Sequence, residues 1–390
     1  MLICAALSDA PTKIVMGPGS EDIDATVRCL TAFGAKIERE GDGLRVLPIR
    51  TPVARCDADC GESGSTLRFL LPVAAALGID ARFILHGRLP QRPIAPLDRE
   101  LERGGCILSR PEEDTLRICG RLRPGDYALP GDVSSQFISG MLFALSIVDG
   151  RSALRVTGKM ESASYVEMTL QALERFGARP TQAAQTYDVS GRSRLCSPGT
   201  VPVGGDWSNA AFWLCADALP GCAVRMTGLD ERSAQGDRKI VDALRALESA
   251  GDSESRMDAA DTPDMVPAMA ACACARGQSL RIVHAERLRI KESDRLAAVT
   301  RTLNRLGGAT EETPDGLIVR KCRLRGGRVD AFGDHRIAMM VAMASCVCTE
   351  DVILRGAEAV NKSYPGFWRD FASLGGSVEL YEEDEHEQQL

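Results

Sequence analysis

The chain has 390 residues, 44% of them apolar and 5% aromatic, which is more than one hydrophobic core usually holds, so two domains packed with Ala, Leu, Val and Ile are expected. Its 54 acidic residues outnumber its 47 basic ones by 7, and no window approaches 18 uncharged apolar residues, so neither nucleic acid nor a membrane is an expected partner. Fourteen cysteines without a CxxC pair, and only four histidines, point to buried reduced thiols in a cytoplasmic protein rather than to disulfides or a metal site.

The chain opens on an apolar helix, Met1-Leu2-Ile3-Cys4-Ala5-Ala6-Leu7. Five more apolar helices follow, each entered from a short polar stretch: Glu62-Ser63-Gly64-Ser65, Val133-Ser134-Ser135-Gln136, Gly205-Asp206-Trp207-Ser208, Asp261-Thr262-Pro263-Asp264 and Gly333-Asp334-His335-Arg336. A helix start presents free N–H groups and the positive end of the macrodipole, so polar and basic residues repeated there suit acidic ligands. Between the apolar helices runs an amphipathic one, with Val166, Leu170, Leu173 and Leu296, Val299, Leu303 at helical spacing. It stops at a small-residue turn each time: Gly34, Gly104-Gly105, Gly177, Gly307-Gly308 and Gly375-Gly376.

After most of these turns comes a strand, a Gly-containing turn and another strand, as in Lys36-Ile37-Glu38, Gly41-Asp42-Gly43 and Leu44-Arg45-Val46. A unit of two helices and several strands therefore repeats six times. In the fourth unit the chain passes from Ala250 to Asp261 through too few residues for a hairpin, which reads as a local deletion. The hairpins argue against a closed α/β barrel, which needs one strand per helix. Two similar domains are expected, 1–203 and 204–390, hinged near residue 204, with 382–390 as a solvated acidic tail.

Several residues could carry chemistry. Lys291-Glu292-Ser293-Asp294-Arg295 opens an amphipathic helix with a carboxylate among cations, and Ser293 or Asp294 can cap it. Arg336 begins an otherwise apolar helix, where it needs an anion; a buried Arg–Asp pair is the structural alternative. Asp264 could be a poised base or a plain N-cap. Ser134, Ser135 and Gln136 suit a phosphate monoester, and Gly64 lets a ligand approach the backbone, with Arg68 one turn on. Arg92 lies on a Pro-stiffened loop, and Lys362 adds a further cation. With no metal-ligand cluster, no GxGxxG and no Walker loop, the set fits cofactor-free transfer between two anionic metabolites.

These motifs resemble those of the 5-enolpyruvylshikimate-3-phosphate synthase family over nearly the whole chain. The resemblance rests on Glu62-Ser63-Gly64-Ser65-Thr66-Leu67-Arg68, Ser134-Ser135-Gln136-Phe137, Tyr165-Val166-Glu167-Met168, Pro263-Asp264, Lys291 to Arg295, Asp334-His335-Arg336 and Lys362-Ser363-Tyr364-Pro365-Gly366-Phe367-Trp368. It implies a two-domain inverse α/β fold of six βαβαββ-type units, in a monomer that closes over shikimate 3-phosphate and phosphoenolpyruvate without a cofactor. Shikimate 3-phosphate would be held by Ser134, Ser135, Gln136, Ser162, Tyr165, Asp264 and Lys291. Phosphoenolpyruvate would be held by Gly64, Arg92, Gln136, Arg295, Arg336 and Lys362. Asp264 would act as base, with Glu292 as acid aided by Lys291. The family's Lys-Ser and Arg ahead of the first helix have no counterpart here, which implies transition-state binding about 10²–10⁴ weaker. Ala163-Ser164 and Glu62 are further departures that should be tolerated.

Two alternatives follow. A sibling family that transfers enolpyruvyl to UDP-N-acetylglucosamine would carry a Cys acid on the loop His86 to Pro93, and none is there. A non-catalytic relative would explain the altered N-terminal motif and the shortened unit, but not the retention of Asp264, Glu292, Arg295, Arg336 and Lys362.

Overall fold

The computed structural model describes residues 1–192 and 194–381, so the acidic run 382–390 lies outside the described residues. The first unit contains α1 (Leu2–Ala6), β1 (Thr12–Val15), α2 (Glu21–Ala32), β2 (Lys36–Glu40) and β3 (Gly43–Leu47). The second contains β4 (Arg55–Asp59), α3 (Gly64–Leu77), β5 (Asp80–Ile84), α4 (Leu97–Arg103), β6 (Cys106–Ser109) and β7 (Thr115–Gly120). The third contains β8 (Asp126–Pro130), α5 (Ser135–Leu145), β9 (Gly150–Thr157), α6 (Ala163–Arg175), β10 (Thr181–Ala183) and β11 (Thr186–Gly191). Then β12 (Thr200–Pro202) leads into a fourth unit with α7 (Trp207–Asp217) and α8 (Ile240–Ala250). The fifth has β13 (Glu254–Asp258), α9 (Val266–Arg276), β14 (Ser279–Val283), α10 (Arg295–Arg305), β15 (Thr310–Thr313) and β16 (Gly316–Val319). The sixth has β17 (Gly327–Asp330), α11 (His335–Ser345), β18 (Val352–Arg355) and α12 (Phe367–Ser373).

Each complete unit makes one four-stranded sheet. A parallel pair flanks the apolar helix, and the hairpin that follows adds its second strand antiparallel to that pair, giving the orders β4-β5-β7-β6, β8-β9-β11-β10 and β13-β14-β16-β15. The first sheet, β12-β1-β3-β2, borrows its outer strand from 187 residues away in sequence, with Ile14 opposite Val201. The segment expected to be a hinge is thus pinned to the first unit by a parallel pair. Only three residues separate α8 from β13, and among the described residues the fourth unit keeps its two helices without a sheet, as the short linker predicts. The sixth keeps the pair β17-β18.

The two classes of helix take different places. In α3, α5, α9 and α11 almost every residue is buried, while α2, α6, α8 and α10 bury one stripe each. Two apolar cores result, one from residues between Ile3 and Val201 and one from residues between Trp207 and Phe371. The expected glycine stops hold, since Gly34, Gly105, Gly177, Gly307 and Gly375 all have positive φ, a region closed to most side chains.

The close crossing of α3 and α5 fixes the N-termini of both helices side by side. Gly140 makes it possible, because a Cβ there would lie 2.3 Å from the Arg68 carbonyl oxygen. Gly140→Ala should therefore push the helices apart and lower stability by about 2–3 kcal/mol, read from the urea midpoint; an unchanged midpoint would show that the crossing is not tight.

Candidate active site

The polar helix starts meet in one cleft. Ser134 caps α5, its Oγ accepting from Gln136 N at 3.3 Å, and Ser63 caps α3 by accepting from Thr66 N at 3.3 Å. The Arg68 guanidinium, buried on α3, donates to Gln136 Oε1 at 2.8 Å and to the Pro93 carbonyl at 3.2 Å, and lies over the Phe137 ring. Arg92 leaves a short 3-10 turn beside it. Gly64 yields the space, since a Cβ there would stand 2.5 Å from Arg92 Nη1. The buried Nε atoms of Arg68 and Arg92 have no hydrogen-bond partner. Burial and the adjacent Arg92 charge bring Arg68 down to about 9. Two neighbouring buried cations with unused donors are a site prepared for an anion.

Across the cleft the fifth and sixth units supply carboxylates and their counter-charges. Arg295, only 1% exposed, donates from Nη1 to Asp264 Oδ1 at 2.9 Å, from Nη2 to Glu292 Oε2 at 2.7 Å, and to both oxygens of Asp334 at 2.9 and 3.2 Å. Asp334 also caps α11, accepting from Arg336 N at 3.0 Å, and accepts from Ser293 Oγ at 3.0 Å. Arg336 Nη2 reaches Asp264 Oδ2 at 3.2 Å, and Lys291 Nζ reaches Asp264 Oδ1 at 3.9 Å. Burial alone would raise the Asp264 carboxyl, but Arg336, Lys291 and Arg295 outweigh it and hold it below the usual carboxylate range. Glu292 is likewise held low, its burial outweighed by Arg295, Arg92 and Lys362. Burial also lowers the Lys291 ammonium.

The two halves touch through this cleft. Tyr165 Oη lies 3.0 Å from Asp264 Oδ2, Arg92 Nη1 3.8 Å from Glu292 Oε1, and Lys362 Nζ donates to the Glu62 carbonyl at 3.1 Å. Ser162, in the left-handed region with φ 53°, accepts from Arg287 Nη2 at 3.0 Å, and Arg287 also pairs with Glu161 at 2.6 Å. A cavity of about 250 Å³ opens between the halves, lined by Arg68, Arg92, Ser134, Ser135, Gln136, Ser162, Tyr165, Asp264, Arg287 and Lys291 among others. Gly64, Glu292, Arg295, Arg336 and Lys362 stand immediately behind it.

A model of the EPSP synthase (3-phosphoshikimate 1-carboxyvinyltransferase) family matches residues 1–371. The chain belongs to the EPSP synthase family. Among curated relatives, the 3-phosphoshikimate 1-carboxyvinyltransferase of Clostridium kluyveri is 39% identical across 97% of this chain and 92% of its own length. That of Clostridium beijerinckii is 37% identical across 96% and 92%. In fold, an EPSP synthase from Acinetobacter baumannii superposes with a TM-score of 0.76 at 22% identity, covering 96% of this chain and 92% of that one. The enolpyruvyl transferase NikO from Streptomyces tendae gives 0.70 at 17%, with the same coverage. The family's fold is therefore this chain's fold.

The thirteen residues to which the resemblance gives a role lie in or directly behind the cleft, with two details added by the structure. Asp264 sits in a 3-10 turn, Pro263–Met265, and makes no cap, because its oxygens are taken by cations and by Tyr165. Arg295, expected on phosphoenolpyruvate, makes four side-chain bonds to three carboxylates. Sequence reasoning missed Asp22, Asp237 and Arg287. Asp22 is ordinary in the acidic first turn of α2, yet burial pushes its carboxyl up, with Lys362, Ser63, Glu292 and Arg92 around it. Only Gln235-Gly236-Asp237, with a small residue before an acid, carried any local signal.

His335 yields a pH prediction. It is buried, its Nδ1 has no hydrogen-bond partner and stands 4.0 Å from Asp334 Oδ1, and burial together with Arg336 brings the imidazole down to about 4. The unfolded chain takes up this proton near pH 6.5 while the folded one resists until about 4, so stability falls as pH drops through that window, by up to about 3 kcal/mol. In His335→Gln the loss of stability between about pH 7 and about pH 5, measured by urea unfolding, should shrink. An identical loss in both proteins would mean that the folded protein protonates His335 freely.

Proposed function

We propose that this chain transfers the enolpyruvyl group of phosphoenolpyruvate to the 5-hydroxyl of shikimate 3-phosphate and releases phosphate. The observation that carries the reading is the pair of buried cations, Arg68 and Arg92, with unused donors on the same cavity as the Asp264 carboxylate. Family membership supports the choice of substrates. Shikimate 3-phosphate takes the wall of Ser134, Ser135, Gln136, Ser162, Tyr165, Asp264 and Lys291. Phosphoenolpyruvate takes Gly64, Arg92, Gln136, Arg295, Arg336 and Lys362, with Arg295 also holding the three carboxylates in place.

The depressed carboxyls explain why substrates must bind before chemistry. In the empty cleft Arg336, Lys291 and Arg295 keep Asp264 too acidic to serve as a base. Two anionic substrates compete for Arg336, Lys291 and Arg92, and as these cations turn to phosphate and carboxylate, both Asp264 and Glu292 regain proton affinity. Asp264 then takes the 5-hydroxyl proton as the oxygen attacks C2 of phosphoenolpyruvate, while Glu292 delivers a proton to the methylene carbon. The tetrahedral adduct loses phosphate and one methyl proton to give the enol ether. Each proton transfer contributes about 10²–10⁴ in rate. The residues 1–203 and 204–390 act as two domains closing on the substrates, which the separate cores and the cleft between them support. We place the enzyme in the cytoplasm as a monomer; its cysteines, free thiols among the described residues, suit a reducing compartment.

Phosphate release with both substrates tests the reading. Asp264→Ala and Glu292→Gln should each cut turnover by at least about 10², with shikimate 3-phosphate affinity within a few fold by calorimetry. Full turnover in either variant would remove that residue from the proton transfers.

A further inference from the structure

Tyr165 stands between two acids. Its Oη is 3.0 Å from Asp264 Oδ2 on one side and 3.0 Å from Asp237 Oδ2 on the other. A phenol has one hydrogen, so it can donate to only one of them. The second contact is attractive only if that carboxyl carries the proton and donates it to the phenol oxygen.

The surroundings decide which one does. Asp264 is ringed by Arg295, Arg336 and Lys291 and stays ionised. Asp237 is fully buried, and its Oδ1 has no hydrogen-bond partner. The charged groups that face it are the carboxylates of Asp264 and Asp206 and the guanidinium of Arg336. On its own turn, Arg238 donates to the Glu231 carbonyl and Lys239 pairs with Asp261, so neither offsets the burial. Burial first, then the Asp264 charge, push Asp237 up to about 6.

Its position is built in from both halves. Gly236 lets the turn approach α6, since a Cβ there would lie 2.5 Å from Ser164 Oγ. Gln235 locks the turn by accepting from Trp207 N at 2.9 Å and donating to Asp206 Oδ1 at 2.6 Å.

We propose that Asp237 is a positioning residue for the base: its neutral carboxyl donates to Tyr165 Oη, which fixes the Tyr165 O–H on Asp264 and so aims the remaining Asp264 lone pairs at the substrate hydroxyl. One proton is thus held between the two acids through the phenol. When Asp237 ionises, two like charges face one O–H, the orientation is lost, and the chain contributes nothing further. This inference rests on the proposed role of Asp264 as base.

Infrared spectroscopy reads the proton without turnover. Because burial also raises other carboxyls such as Asp22, the wild-type-minus-Asp237→Asn difference spectrum is the readout, and below about pH 6 it should show the C=O band of a buried protonated carboxyl that fades as pH rises through about 6. In kinetics, Asp237→Asn, permanently neutral, should retain turnover within about threefold below that pH and lose the alkaline limb that Asp237 ionisation imposes on kcat. Asp237→Ala should lower kcat about tenfold or more, with KM for shikimate 3-phosphate nearly unchanged. A wild-type-minus-Asp237→Asn difference spectrum without a protonated-carboxyl band, or a pH profile that superposes on the wild type, would overturn the assignment. Asp264→Ala separates the two readings. If it keeps full turnover, the base assignment fails; if it is inactive while Asp237→Asn shows the wild-type profile, only the role of Asp237 fails.

Discussion

Everything in the cleft is organised around one buried guanidinium. Arg295 is almost inaccessible, and an unpaired charge there would be untenable, so Asp264, Glu292 and Asp334 close around it. Removing one member of such a buried set typically costs about 3–5 kcal/mol, because the remaining charges lose their compensation. The planar fork of Arg, with donors in fixed directions, holds three carboxylates from three segments at once; an ammonium could not. Asp334 at the head of α11, Glu292 ahead of α10 and Asp264 ahead of α9 are therefore brought into register by electrostatics as much as by packing.

Around that knot the charges are unevenly shared between the halves. On the C-terminal side three cations, Arg295, Arg336 and Lys291, answer three carboxylates, Asp264, Glu292 and Asp334. On the N-terminal side Arg68 and Arg92 lie together with donors to spare, at the starts of helices whose N–H groups also favour negative charge. The acidic balance of the whole chain has little bearing here, because buried charges feel their neighbours far more than a screened surface. A local anion site can exist in an acidic protein for this reason.

The fold supports this arrangement through its two kinds of helix. The apolar ones are buried on nearly all sides, and their first turns come out where the halves meet: Ser134 and Ser135 at the start of α5 and Ser65 at the start of α3 line the cleft, while the buried caps Ser63 and Asp334 hold those turns from behind. The amphipathic helices shield them from water and end on glycine. Loss of strands from the fourth unit leaves this intact, because α7 and α8 still cover the second core with residues such as Phe212, Trp213, Ile240 and Leu247.

By itself the sequence determined the repeat, the helix classes, the glycine stops, the shortened fourth unit and nearly all the polar residues of the cleft. Those features are local: periodicity, caps and turn residues act within a few positions of the chain, and the family motifs lie on contiguous stretches. Only the tertiary structure decided that β12 completes the first sheet beside β1, that Arg295 faces carboxylates, and that Asp237 meets Tyr165 across the halves. Each of these joins segments far apart in sequence, and their energies come from desolvation and from the distance between charges, quantities that exist only once the chain has closed on itself.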